Sequence, residues 1–327
     1  MADSPLLRWT SCSSTHVGHV RQINEDSFLD RADIKLWAIA DGMGGHHAGD
    51  VASNSIVSEL DAITPRTRLS TYIDEIEDRL ITVNRQLRDL AAQHKDNRTI
   101  GSTVMAMVAL DDHYALLWAG DSRAYLSRNG HVSRLTRDHS QVEELVERGV
   151  ILPEDAESHP AANIITRAVG ASDQLFVDVD VDEAQPGDKF LLCSDGLYKH
   201  IADDELVELL QNNDLEDICK SLIETTLARG ATDNVTVVVV SAEAANADEV
   251  QETELPETDA DLERTVDLEA DVVAEEISEI AAKEAENDTS NVDAEAITKS
   301  AESEAEVESD SEKPEPADND NEEKPSR

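Results

Sequence analysis

Four aspartates stand at the ends of apolar runs in this chain. Leu36-Trp37-Ala38-Ile39-Ala40 leads into Asp41 and then Gly42-Met43-Gly44-Gly45. Leu116-Leu117-Trp118-Ala119-Gly120 ends at Asp121, Phe190-Leu191-Leu192-Cys193-Ser194 ends at Asp195-Gly196, and Asp233 opens the run Val235 to Val240. Apolar runs of this length bounded by glycine read as buried strands, so each acid sits where a strand leaves its sheet. One Asp-Gly at a strand end is ordinarily a turn; four such ends, with Asn24-Glu25-Asp26 besides, describe a site. If the ends share a rim, the carboxylates converge, and converging carboxylates are too repulsive to stay ionised without a positive charge among them. The adjoining glycines let backbone approach an ion closely, so the Gly42 carbonyl is itself a candidate ligand. An all-oxygen donor set favours Mg²⁺, Mn²⁺ or Ca²⁺ over zinc. None of the ten histidines stands in HxxxH or HExxH spacing beside these acids, which argues against a zinc hydrolase.

Arg21 lies a few residues ahead of Asn24-Glu25-Asp26. Its guanidinium is the side chain suited to bidentate phosphate binding. A carboxylate-held metal pair with one arginine is equipped for phosphate-ester hydrolysis: the metals bring the pKa of a bridging water towards neutrality and hold the phosphoryl group for in-line attack. No serine, cysteine or aspartate nucleophile is then needed.

The elements that position these residues read as strands at 9–16, 26–30, 35–41, 102–110, 113–120, 123–128, 175–181, 189–194 and 234–241. Asn129-Gly130 marks a hairpin turn between Arg123 and Leu135. Helices are expected at 47–61, 69–94, 140–148, 203–212 and 215–229. Leu69, Ile73, Ile76, Leu80, Val83, Leu87 and Leu90 line one stripe of the second helix, which therefore packs one face on a sheet. Hairpin-spaced strands and paired helices point to α+β layers, not a doubly wound parallel sheet. The stretch 149–162, with Pro153, Pro160 and several acids, reads as a flap over the site.

The net charge of −45 is unevenly spread over the 327 residues. From Glu243 onward there is no Phe, Trp or Tyr, and 31 acids face six bases. Such a composition cannot bury enough surface to offset chain entropy, so 243–327 is expected to be a disordered acidic tail and 1–242 the folded domain. Acidity of this size repels phosphates and argues against nucleic-acid or anionic-membrane partners. Cys12, Cys193 and Cys219 are odd in number with no CxxC pair, which suits a reducing cytoplasm. No apolar run approaches a membrane span and Met1 to Thr10 carries no apolar leader, so a soluble cytoplasmic protein is expected; it is taken to be a monomer.

An ordered series of short motifs covers residues 9–241: Arg21-x-x-Asn24-Glu25-Asp26, Asp41-Gly-Met-Gly-Gly45, Gly101-Ser-Thr103, Gly120-Asp-Ser-Arg123, Leu135-Thr-Arg-Asp-His139, Ile165-Thr-Arg-Ala-Val-Gly170, Ser194-Asp-Gly-Leu197 and Asp233-Asn234. Each is weak alone; together and in order they resemble the metal-dependent Ser/Thr protein phosphatases of type 2C, in their compact bacterial form. The resemblance implies a four-layer α-β-β-α sandwich of two antiparallel sheets flanked by helix pairs. It implies hydrolysis of phosphoserine and phosphothreonine in proteins, with two core Mn²⁺ or Mg²⁺ ions and a possible third, opposing a Ser/Thr protein kinase. By motif, Asp41 is similar to the bridging ligand, Asp195 and Asp233 to the other carboxylates of the first ion, and Glu25 with the Gly42 carbonyl to ligands of the second. Asp26 resembles the acid that holds a metal-bound water, Arg21 the phosphate clamp, and Asp121, with Asp195, the holder of a weaker third ion. Met43 stands where eukaryotic members carry a proposed general-acid histidine, so the donor of the leaving-group proton is left unassigned.

Other conspicuous residues take blander readings. His46 and His47 read as exposed histidines at a helix start, His139 as a local hydrogen-bond partner, and Cys193 as core. Ser122 and Arg123 read as supports of the Asp121 turn, and 262–280 as a loosely spaced segment that a partner would have to order. A non-catalytic phosphoprotein-binding module would have lost ligands, and a Ca²⁺-binding protein of the EF-hand kind would show a DxDxDG loop; neither description fits this chain.

Overall fold

The structure, a computed structural model, describes residues 6–44, 48–93 and 99–245. His46, His47 and everything from 246 on, including the 262–280 segment and nearly all of the expected tail, lie outside the described residues. In chain order the elements are β1 (Leu7–His16), β2 (Asp26–Arg31), β3 (Leu36–Met43), α1 (Ala48–Asp61), α2 (Leu69–Gln93), β4 (Gly101–Ser102), β5 (Val104–Leu110), β6 (His113–Ala119), β7 (Arg123–Arg128), β8 (His131–Arg134), α3 (Gln141–Glu147), β9 (Asp178–Glu183), β10 (Asp188–Cys193), α4 (Asp195–Tyr198), α5 (Leu206–Leu209), α6 (Leu215–Ala228) and β11 (Val235–Ala244).

Two antiparallel sheets form, in the orders β1-β11-β10-β7-β8 and β2-β3-β5-β6-β9, with β4 attached to β3. Strand side chains alternate between two dry faces, and that is why the strands read as unbroken apolar runs. Trp37 and Ile39 of β3, Met105 and Met107 of β5, Phe190 and Leu192 of β10, and Val238 and Val240 of β11 fill the space between the sheets. Their neighbours Leu36, Ala38 and Ala40, with Val104, Ala106 and Val108, face outward onto Ile56, Leu60, Ile76, Leu80, Val83 and Leu87 of α1 and α2. Leu191, Cys193, Val235, Val237 and Val239 face outward on the other side, onto Leu206, Ile218, Cys219 and Leu222 of α5 and α6. Three cores between four layers give the α-β-β-α sandwich expected. Each fully buried Leu, Ile or Val contributes about 1.5–3 kcal/mol to holding the layers. Aromatic rings bridge the two sheets, with Trp9 at 5.9 Å from Trp37 and Phe190 at 4.6 Å from Tyr114.

The Asn129-Gly130 hairpin is present, with φ of 53° and 78°, the paired left-handed geometry of a tight β-turn. Several edges differ from expectation. β3 runs past Asp41 to Met43 because Gly42 and Met43 pair with Ser102 and Gly101, so Asp41 lies inside the strand. β9 starts at Asp178, not 175, because its ladder is limited to β6 residues 113–118. Leu175 and Val177 still pack on the helix-side core without pairing. The fourth expected helix, 203–212, shortens to Leu206–Leu209, and the one-turn helix α4 was not anticipated. β11 continues to Ala244, where Glu243 and Ala244 pair with Arg8 and Leu7, two residues past the expected domain edge at 242. Among the described residues, no helix is long and apolar enough to cross a membrane.

Candidate active site

Topology brings the acids to one rim. β3 and β6 are each antiparallel to β5, so their C-terminal ends, with Asp41 and Asp121, lie on the same side of one sheet. β2 pairs antiparallel with β3 and sets Asp26 directly opposite Asp41. In the other sheet β10 and β11 are antiparallel, which places Asp195 after the end of one beside Asp233 before the start of the other. The two rims meet: Asp26 Oδ2 accepts hydrogen bonds from Ser194 Oγ (2.8 Å) and Thr236 Oγ1 (2.7 Å) across the sandwich. Ser194 occupies the N-cap of α4 but makes no side-chain cap bond there. Its hydroxyl goes to Asp26 instead.

The backbone around Asp41 is held on both sides. Its N–H donates to Thr103 Oγ1 (3.0 Å), and its carbonyl accepts from Thr103 N–H (2.9 Å) and Ser102 Oγ (2.9 Å). Gly42 N–H donates to the Glu25 carbonyl (3.0 Å). Asn234 laces the preceding loop to β11: its Oδ1 accepts from Glu25 N–H (2.8 Å), and its Nδ2 donates to the carbonyls of Val17 (2.9 Å) and Ile23 (3.1 Å). The Gly-Ser-Thr and Asp-Asn motifs thus act through the main chain, fixing where the acids point.

The electrostatics are those of a crowded anionic cleft. Burial, opposed by its two hydroxyl donors and reinforced by Asp195 and Asp233, pushes Asp26 up to about 7. Burial first, then Asp195 and Asp138, raises Asp121 to about 7, with Lys199 opposing. Asp41, half-buried at the cleft, is held well above the usual carboxylate range by desolvation and by Asp26, Asp195, Asp121 and Asp233. Glu25 is raised by burial, against the pull of Arg21, with Asp50 adding repulsion. Two cations reach in. Arg21 Nη2 donates to Asp233 Oδ2 at 2.9 Å and Nη1 lies 3.8 Å from Glu25, while 49% of its side chain stays exposed. Lys199 Nζ donates to Asp195 Oδ2 at 2.5 Å and to Asn163 Oδ1 at 3.0 Å.

Arg21, Glu25, Asp26, Asp41, Gly42, Asp121, Asp195 and Asp233 therefore gather at one cleft. Among the described residues, no three acidic, His or Cys side chains close on a common point as a finished metal cage. The chain's own features nonetheless suit a hard divalent cation. Asp50, in the first turn of α1, has a buried Oδ1 with no hydrogen-bond partner. Next to it, a Cβ built on Gly49 would come within 2.5 Å of Glu25 Oε1 and 2.8 Å of the Gly42 carbonyl oxygen. Only glycine leaves those two oxygens room to converge. Surplus negative charge, oxygen-only donors and an orphaned acceptor at one place match Mn²⁺ or Mg²⁺ chemistry.

The blander expectations hold where the structure tests them. His139 stacks on Trp118, its Nδ1 accepts from Gly120 N–H (3.2 Å) and its Nε2 lies 3.1 Å from Asp178. Ser122 Oγ shares a 2.8 Å hydrogen bond with Thr103 Oγ1. Arg123 forks onto the buried Asp138 and lies 3.5 Å above the Tyr198 ring. Cys193 is buried in β10 and its thiol is pushed up by that burial. The expected flap, 149–162, holds a 3₁₀ turn at Pro153–Asp155, and Val150 and Leu152 are exposed. Just past it, Asn163 meets Lys199. Lys199, Asn163 and Asp50 escaped sequence reasoning. For Lys199 a signal existed, since it stands four residues after Asp195.

A two-sheet sandwich with an acid-lined rim and one phosphate-suited arginine defines a metal-assisted phosphoester hydrolase. Comparison with known proteins makes this specific: the family model for protein phosphatase 2C matches residues 15–239. A putative protein phosphatase 2C-type of Streptococcus pyogenes is 36% identical over 237 residues, spanning 70% of this chain and 96% of that protein. The serine/threonine phosphatase stp of Listeria welshimeri is 36% identical over 234 residues, covering 69% of this chain and 93% of that one. Among solved structures, PppA, described as a key regulatory component of T6SS in Pseudomonas aeruginosa, shares 40% identity with a TM-score of 0.68 over 73% of this chain and all of that one. The catalytic domain of the phosphatase PstP in complex with two manganese ions shares 33% identity with a TM-score of 0.65, over 73% and 99% of the two chains. This chain belongs to the protein phosphatase 2C family. It is a protein-serine/threonine phosphatase, a phosphoric monoester hydrolase.

Proposed function

We propose that the cleft between the sheet rims is the catalytic site, with each residue in a separate role. Asp41, Asp195 and Asp233 hold one Mn²⁺ or Mg²⁺ ion; Asp41, Glu25 and the Gly42 carbonyl hold a second; Asp121 with Asp195 holds an outer third. When bound, these ions supply a water nucleophile acidified towards neutral pH and offset the charge of the phosphate oxygens. Asp26, fixed by Ser194 and Thr236, orients water beside them. Arg21 gives one of its five N–H donors to Asp233, so others are free for a phosphate. Cys193 and Cys219 do not compete for the role: both are buried with thiols pushed up, where thiolate is scarce. Substrates are phosphorylated proteins. A Ser/Thr kinase working on the same substrates in the cytoplasm, and a monomeric enzyme, complete the reading.

The observation that carries this assignment is the Asp26–Asp41 pair, braced by hydroxyls from the opposite sheet, since it fixes acids of both sheets at one cleft. Asp41→Asn removes the most central carboxylate and is expected to lower kcat/KM on a phosphothreonine peptide by about 10³-fold or more, on the scale of key electrostatic contributions. Asp121→Asn, at the outer position, is expected to cost less. Equal activity in the two variants would overturn the ligand assignment.

A further inference from the structure

Lys199 sits at the C-cap of α4, one turn beyond Asp195. Its ammonium is held by two oxygens, Asp195 Oδ2 and Asn163 Oδ1, and only 33% of its side chain is exposed. The acids whose fields it feels are Asp195, Asp121 and Asp233. Asp121 is 6% exposed, and Lys199 is the cation that most offsets its charge. The pair assigned above to an outer divalent ion, Asp121 with Asp195, is therefore already served by a positive charge belonging to the chain.

We propose that Lys199 is the resident counter-ion of the Asp121–Asp195 pair and determines how tightly an outer third divalent cation binds. The inference rests on the reading that this pair holds an outer ion. A third ion has to displace the ammonium from Asp195, breaking its bond to Asn163 as well, and it then remains within a few ångströms of a tethered like charge. At the short range and intermediate dielectric of such a cleft, that repulsion is worth a factor of about ten or more in affinity. The second core ion is not contested in this way, because Asp41, Glu25 and Gly42 make no bond to Lys199; the first shares Asp195 with it but keeps Asp41 and Asp233, which Lys199 does not bond. Displacement would also release Asn163, and so link occupancy of the outer position to the segment that follows the 3₁₀ turn at Pro153–Asp155.

The test is Mn²⁺ binding by calorimetry, with free Mn²⁺ counted by electron paramagnetic resonance, on metal-stripped full-length chain. The wild type should take up two ions tightly and a third weakly. Lys199→Gln should bind the third ion at least about tenfold more tightly, and Lys199→Arg, which keeps the charge, should behave as wild type. Lys199→Gln combined with Asp121→Asn should lose the improvement, which also subtracts ions held elsewhere on so acidic a chain. Two tight ions with an unchanged or weaker third in Lys199→Gln would overturn the role of the lysine alone. Fewer than two tight ions in the wild type would overturn the ligand assignment, and the lysine's role with it.

Discussion

Asp26 shows how one side chain can tie stability to metal. With its folded-state pKa raised to about 7, as is that of Asp121, each carboxyl keeps a proton in the metal-free fold that it loses in the unfolded chain above about pH 4. The unfolded state then binds fewer protons than the native one, so stability falls as pH rises. The contribution is full below pH 4 and lost through pH 7. Chelated protein unfolded in urea at pH 5, 6, 7 and 8 should weaken by at least about 2 kcal/mol across that window. Excess Mn²⁺ should reverse the trend, because ion binding requires ionised carboxylates. A metal-free chain that becomes more stable from pH 5 to pH 8 would refute the crowding described at Asp26 and Asp121. The strand-end acids were legible in sequence because each closes an apolar run. Asp50 was not, since its relation to Glu25 arises only when α1 packs across β3.

At the scale of elements, the first turn of α1 completes the cleft by lying against β3. A side chain on Gly42 would meet the Gly49 carbonyl oxygen at 1.9 Å, and one on Gly49 would press into Glu25 and the Gly42 carbonyl. The Gly49 backbone also opposes the rise of the Glu25 pKa. Gly49→Ala is therefore expected to lower Mn²⁺ affinity about tenfold or more by forcing these oxygens apart, which on the affinity scale is about 1.4 kcal/mol. Its circular dichroism spectrum should stay that of the parent, because alanine suits a helix turn. Unchanged affinity in calorimetry would show that the glycine does not shape the ion position. The central strands were readable because burial on both faces leaves long apolar runs, and the helix stripe from Leu69 to Leu90 was equally plain. The edges that shifted are those set by partners: β9 stops where β6 stops, and β3 extends because β4 pairs with it. The one-turn α4 has no periodicity to read.

For the whole molecule, charge divides the chain. About −25 of the −45 lies in 243–327, whereas the last core strand ends at Ala244. We propose that residues to Ala245 form the catalytic unit. Removing 246–327 should then leave the thermal midpoint within about 2 °C, a shift of under 1 kcal/mol, with turnover of p-nitrophenyl phosphate intact. Differences should be confined to low salt or acidic phosphopeptides, since the lost charges act only within a Debye length of roughly 8 Å at physiological ionic strength. A much earlier melt would show that part of 246–327 belongs to the fold.

The carboxylates of this cleft are proposed to work by holding metal. The decisive measurement is the rate of phosphothreonine-peptide hydrolysis as Mn²⁺ is titrated into chelated full-length protein. Without metal, no turnover above background is expected, and the rate should rise with added Mn²⁺ and saturate as the tight ions fill. Asp41→Asn should need far more Mn²⁺ and reach only a small fraction of the parent rate. Undiminished hydrolysis by the fully chelated chain would show that these carboxylates do not act through bound metal.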